Sequence, residues 1–256
     1  MAKSTTDKLI FLSEAIFSFK FPYPIWMVKV DCLQGCLAIE ARSDQSMEHS
    51  FSILDLKHLK LTEVTLPIKS DWWLTLLGLS GGHLILGQYK NQKNPGPITL
   101  WVYDWIKQVM VQEIDHFQLN ECSEFNIYGK ALKGTQSEEI HIKLNNLQSG
   151  EELSFPETFK IGSPSFDTVA AYLNTQDRLI LYEVAYLEIG DHILMNYYYQ
   201  DGDSLNKSLV WLANEQLVIH EDIDQNMKGI SSESFIVLGK KLIFVSNRNN
   251  LKVYDL

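Results

Sequence analysis

The chain of 256 residues carries 22 Lys and Arg against 32 Asp and Glu, for a formal net charge of −10. Its hydrophobic share of 45% with 21% charged residues is too apolar for disorder. The length supports one large β or α/β domain, and residues 1–256 are read as one. The acidic balance argues against binding nucleic acid by phosphate neutralisation, since the densest basic stretches are pairs such as Lys240 and Lys241.

Taken in chain order, residues 9–12 form an apolar run, interrupted at Glu14, that is too brief for a signal-peptide core, and residues 8–12 and 16–21 are candidate strands. Cys32 and Cys36, with the remote Cys122, are too few for a disulfide framework and read as reduced thiols. No stretch approaches the roughly 18 uncharged apolar residues of a membrane span. The expectation is a soluble, cytoplasmic protein with no membrane partner.

Short runs rich in Ile, Leu, Val and aromatic residues, separated by Gly, Asn, Asp, Ser or Pro, recur along the chain, which is the strand pattern. Residues 35–39 lead to 51–55. Residues 81–86 lead through a polar loop, 90–97, to 98–104 and then 108–113. Residues 125–128 lead to 140–145 as a degenerate copy. Residues 165–173 form a helical window after Pro164, but the β-branched pair Thr168 and Val169 favours a strand, and 168–173 with 178–183 then reads as a hairpin of an incomplete sixth unit. Residues 190–195 lead through a loop, 200–207, to 208–214 and then 216–221, and residues 240–245 lead to 251–255.

The best copies are those starting near His83 and His192, each with a turn, a strand, a polar loop, a strand carrying Trp (Trp101, Trp211) and a last strand ending in acid. Cys36 and Lys241 hold the position of these histidines in the weaker copies. The repeat is roughly 50 residues, giving about five units. Each unit is a short meander that must stack on neighbours, and the closed solution is a β-propeller of about five blades, six being the alternative. Pairing of the N-terminal strand with the C-terminal ones would close it and remove its edges. The chain thus resembles the β-propeller group and is similar to uncharacterised bacterial propeller-like domains of unknown function. That resemblance covers the whole chain and brings no functional motif, WD or kelch signature with it.

No zinc, nucleophile-elbow, Walker or dinucleotide signature occurs, so no metal, cofactor or catalytic residue is assigned. Asp201, Asp203 and Asn206 stack oxygens in one loop as a hard cation would require, while a self-capping turn uses the same letters. The aromatic surplus is the most suggestive feature. Within Tyr197, Tyr198 and Tyr199 one ring must point away from the other two, because strand residues alternate faces. Rings beside Asp, Asn and Gln suit a contact surface, so Trp73, Tyr198, Tyr199, Asp201 and Asp203 are the candidate ligand-binding residues. The expected function is a non-catalytic module for a protein or small ligand. The alternative is a hydrolase or glycan-active enzyme with carboxylates in the central channel.

Overall fold

The computed structural model describes residues 13–68, 71–90, 96–123, 126–144, 150–174, 179–230 and 234–256. Over these residues the chain is all-β apart from one helix, with four antiparallel sheets of four to six strands. It divides into two compact units, Phe21–Glu152 and Met1–Lys20 with Leu153–Leu256. The candidate strand at 8–12 lies outside the described residues. The one at 16–21 is β1 (Phe17–Lys20), which belongs to the second unit.

In the first unit, β2 (Ile25–Asp31), β3 (Cys36–Ser43), β4 (Glu48–Asp55) and β5 (Lys60–Glu63) form a four-stranded meander. Its turns are set by acids. Asp31 Oδ1 accepts from the amides of Leu33 and Gln34, and Asp55 Oδ1 from those of Lys57 and His58. Each carboxylate stands in for a backbone acceptor and closes the turn that follows it.

The second sheet contains β6 (Leu74–Ser80), β7 (His83–Tyr89), β8 (Ile98–Asp104), β9 (Val109–Cys122), β10 (Asn126–Lys133) and β11 (Gln136–Lys143). Asp104 Oδ1 again accepts from two turn amides, Ile106 and Lys107. Here the unit count departs from expectation, because the second repeat and the degenerate copy share this one sheet. The reason is the 14-residue length of β9. Its first half pairs with β8, and its second half, Phe117 to Cys122, pairs with β10. Ala38, Phe51 and Ile53 meet Leu74, Leu84, Leu86 and Tyr103 in one core, while Ile85, Leu100, Val102 and Phe117 form another. Burial on both faces explains the nearly continuous apolar run of β8.

Gly129 sits where β10 shifts register against β9. A Cβ there would lie 2.3 Å from the Gln118 carbonyl oxygen and 2.4 Å from Phe117 Cζ. A backbone atom cannot swing aside as a side chain does. We expect Gly129→Ala to destabilise by about 1–3 kcal/mol, read as a lower denaturant midpoint, and an unchanged midpoint would show that the bulge yields.

In the second unit, β12 (Leu153–Ser154) and β13 (Glu157–Phe159) precede α1 (Pro164–Asn174). The hairpin reading of 168–173 with 178–183 is corrected by this helix. Ser163 Oγ accepts from the Phe166 amide as its cap, and Pro164 opens the first turn, where its missing N–H costs nothing. Phe166, Val169, Ala170 and Leu173 bury one stripe at helical spacing.

Strands β14 (Leu179–Ile189), β15 (His192–Asp201), β16 (Ser204–Ala213) and β17 (Gln216–Met227) join β13 in a five-stranded sheet. One face packs on α1 through Met195, Tyr197, Tyr199, Val210 and Leu212. The other packs Leu194, Leu209, Trp211 and Ile223 against Phe235, Leu242, Phe244 and Tyr254. The latter come from β18 (Phe235–Leu238), β19 (Lys241–Ser246) and β20 (Asn250–Asp255), which run in the order β1-β20-β19-β18-β12. The N-terminal strand thus pairs with the C-terminal one, Phe17 opposite Val253 and Lys20 opposite Asn250.

The repeat positions read from the sequence coincide in hydrogen-bond register. Cys36 pairs with Asp55, His83 with Asp104, His192 with Ala213 and Lys241 with Asp255, each a strand start opposite the end of the next strand. The two tryptophans do not match. Trp101 lies three residues before the partner of His83, while Trp211 lies two before that of His192, so they fall on opposite faces of their sheets.

Candidate functional site

The candidate ligand residues at 198–203 fall on the β15–β16 hairpin. The expected polar loop 200–207 is instead mostly paired strand, with Gln200 opposite Leu205 and Asp201 opposite Ser204. Only Gly202 and Asp203 form the turn, and Gly202 supplies the positive φ of 58° that the first turn position requires. Asp201 and Asp203 are exposed. The neighbouring polar groups are engaged: Ser204 Oγ donates to Asn226 Oδ1 at 2.8 Å, and the Asn226 amide donates to Asn206 Oδ1 at 3.0 Å. Among the described residues no group of three or more His, Cys, Asp or Glu is placed to hold a metal.

The tyrosines alternate as strand geometry requires. Tyr197 and Tyr199 face α1, with Tyr197 Oη 2.9 Å from His220 Nε2. Tyr198 faces the other way. Each of the three is 5% exposed or less, so Tyr198 and Tyr199 contribute to the interior and not to a rim surface.

The Tyr198 ring has the Lys207 ammonium 5.3 Å from its centre and Tyr182 edge-on at 6.0 Å. Lys207 is 3% exposed, an unusual state for lysine, whose charge loses hydration on burial unless attraction replaces it. Part of that attraction comes from the ring face and part from Asp224, opposite Lys207 in register. Burial raises the Asp224 carboxyl above its ordinary value. The charges of Lys207 and Arg248 and the backbone amides of Arg248 and Asn247 pull it back down. Sequence reasoning has Lys207 only as the end of the polar loop 200–207 and gives Asp224 and Arg248 no role, since alternation in β16 signals which residues share a face but not how deep that face lies.

Asp224 also lines a cavity of about 290 Å³ with Gln225, Asn226, Met227, Lys228, Asn247 and Arg248. The volume is near the lower end of small-molecule pockets. The β19–β20 turn closes one side. Its Asn247 and Arg248 have φ of 51° and 63°, the Asn249 amide bonds the Ser246 carbonyl, and the Asn247 amide bonds the Ile223 carbonyl at 2.6 Å. Turn and strand are therefore tied together on one side of the cavity, and Gln225 and Asn226 line it from the register shift between Asp224 and Met227.

Trp73 belongs to the first unit and is half-buried. Its amide donates to Asp71 Oδ1, whose other oxygen takes a bond from Gln88 Nε2. Beside it, Arg42 lies over the rings of Trp26 and Trp72 at 5.3 and 5.2 Å. Arg42 bonds Glu40 through Nε and donates to the carbonyls of Trp72 and Leu74. Glu40 Oε2 in turn accepts from the Leu76 amide at 2.8 Å and from Thr75 Oγ1 at 3.2 Å. Every strong group of this pair is satisfied, which marks it as a fastening between β3 and β6.

Of the two repeat-position histidines, His192 is bonded in the fold, while His83 has a buried Nδ1 without a hydrogen-bond partner among the described residues. His192 Nδ1 lies 3.0 Å from the indole N–H of Trp211, and His83 Nε2 lies 4.0 Å from Asp104. All three cysteines are thiols outside any disulfide, and burial pushes that of Cys36 up to about 12, far from the nucleophilic range. In the expected loop 90–97, residues 91–95 lie outside the described residues, and Lys90 bonds Asp115. Among the described residues no helix is long and apolar enough to cross a membrane.

No curated protein matches the chain. Over residues 30–111, from the end of β2 into β9, it is similar to a family described as a domain of unknown function (DUF4905). The matched stretch contains Glu40, Arg42 and Trp73 and stops short of the Asp224 cavity.

Proposed function

We propose that the four sheets are blades of a β-propeller-type protein acting in the cytoplasm as a non-catalytic binding module, with the Asp224 cavity as its small-ligand site. Pairing of β1 with β20 supports the propeller reading, as the device that would close a ring of blades. The observation that carries the binding reading is the composition of the cavity. It is lined by amides, two cations and one carboxylate on backbone held by hydrogen bonds, a set suited to fixing a polar ligand. Glycoside hydrolysis needs two carboxyl groups about the scissile bond, and the lining supplies one. A thermal-shift panel of polar metabolites on the full chain is expected to give a saturable stabilisation that an Asn226→Ala variant weakens. Turnover of a substrate in the same panel would overturn the non-catalytic reading, and the absence of any stabilising compound would overturn the binding one.

A further inference from the structure

Resting on that reading of the cavity, we infer that its ligand is an oxyanion, a phosphate or carboxylate group, held by Arg248 and Lys228. Both side chains line the cavity and are exposed, and neither is taken up by an ion pair among the described residues. Against them stands one acid, Asp224. Its charge is shared between Lys207 and Arg248 and the backbone amides of Arg248 and Asn247, so it balances Arg248 only in part. The lining therefore carries a local positive excess on a chain whose net charge is −10.

The amides point to the same chemistry. Asn226 Oδ1 is engaged by Ser204, so what Asn226 has left to offer is its side-chain N–H, a donor. A planar guanidinium, an ammonium and an amide donor match the acceptor-only surface of an oxyanion. The backbone that carries Arg248 is also well anchored. Arg248 occupies the second central position of a turn with positive φ at both, a place where Asn followed by Gly is the favoured pair. Glycine there would relieve the backbone, and arginine there projects its charge from a turn pinned to β17.

The test uses isothermal titration of the full chain with inorganic phosphate, acetate, a hexose monophosphate and the unphosphorylated hexose, repeated with Arg248→Gly and Lys228→Ala. The expected result is binding of the anions and not of the neutral hexose. Arg248→Gly should weaken that binding by about tenfold or more, the loss of at least one charge-assisted contact. The unliganded melting temperature of this variant should stay near that of the parent, because the glycine that suits the turn offsets the attraction Asp224 loses. Preference for phosphate or for acetate identifies the group, and stronger binding of the hexose monophosphate than of phosphate identifies a phosphorylated metabolite. Equal binding of hexose and hexose monophosphate, unaffected by Arg248→Gly, would overturn the oxyanion inference while leaving a binding site in place. Anion binding that survives both substitutions would place the ion elsewhere and overturn it too. If none of the four probes binds while the broader metabolite panel still stabilises the chain, the inference fails alone, and if neither assay detects a ligand both readings fail.

Discussion

Arg42→Ala is expected to destabilise the chain by about 3–5 kcal/mol, the range for removing one partner of a buried ion pair. Glu40 has no exposed surface, and Arg42 is 8% exposed. Without the guanidinium, the Glu40 carboxylate would stay buried with two neutral donors, and the carbonyls of Trp72 and Leu74 would lose theirs. The rings of Trp26 and Trp72 would also face the space left behind. Replacing both charges with apolar residues, Glu40→Leu with Arg42→Met, should recover only part of the loss. The Leu76 amide would still lack its acceptor, a deficit of about 1–3 kcal/mol. Urea titration measures both, and a loss below about 1 kcal/mol for Arg42→Ala would mean that water reaches the pair.

Phe244→Ala is expected to cost about 3–5 kcal/mol through lost transfer energy and the cavity left behind. Phe244 is 2% exposed and stacks on Tyr254 at 5.7 Å with 6° between the ring planes. The substitution has a second readout. Burial, reinforced by the charge and hydrogen bond of Glu221, pushes the Tyr254 phenol up to about 12. A raised phenol value means that the folded state favours the neutral form. That stabilisation is fully present below pH 10, the ordinary phenol value, and is lost as the pH rises from there through about 12. Opening the Phe244 side should admit water and let Tyr254 ionise earlier, seen as phenolate absorbance at lower pH than in the parent. Unchanged titration with lower stability would show that Glu221, not burial, holds the phenol neutral.

Much of the strand framework was legible because it depends on local letters. The equivalence of Cys36, His83, His192 and Lys241 came from turn residues that set where strands start, and the pairing register follows those turns. The match of Trp101 to Trp211 failed because residue identity carries no information about face, and a slip of one residue reverses it. The helix at Pro164 had its signal in the Ser163-Pro164 cap, outweighed in the sequence reading by the β-branched pair Thr168 and Val169. The hairpin at 200–207 was read as a loop from its polar letters, yet Asn206 and Lys207 are buried where Asn226, Tyr198 and Asp224 receive them. No local pattern announces such partners. The cavity was illegible for the same reason, since it joins the end of β17 to a turn about twenty residues later.

Strand β17 has one more consequence. It is the outermost strand of its sheet, 12 residues long, and an outer strand of that length offers its unbonded amides and carbonyls as a template for another chain. Three register shifts against β16 bend it, and Glu221, Asp222 and Asp224 place carboxylates along it. Glu221 is paired with Lys252, Asp222 accepts from Ser208 and Asp224 faces Lys207, so these acids are spent within the fold, and two identical strands brought together would meet on mismatched backbones. The bends, together with the Asn247 amide that takes the Ile223 carbonyl, therefore hinder copies of the protein from growing onto one another through this strand.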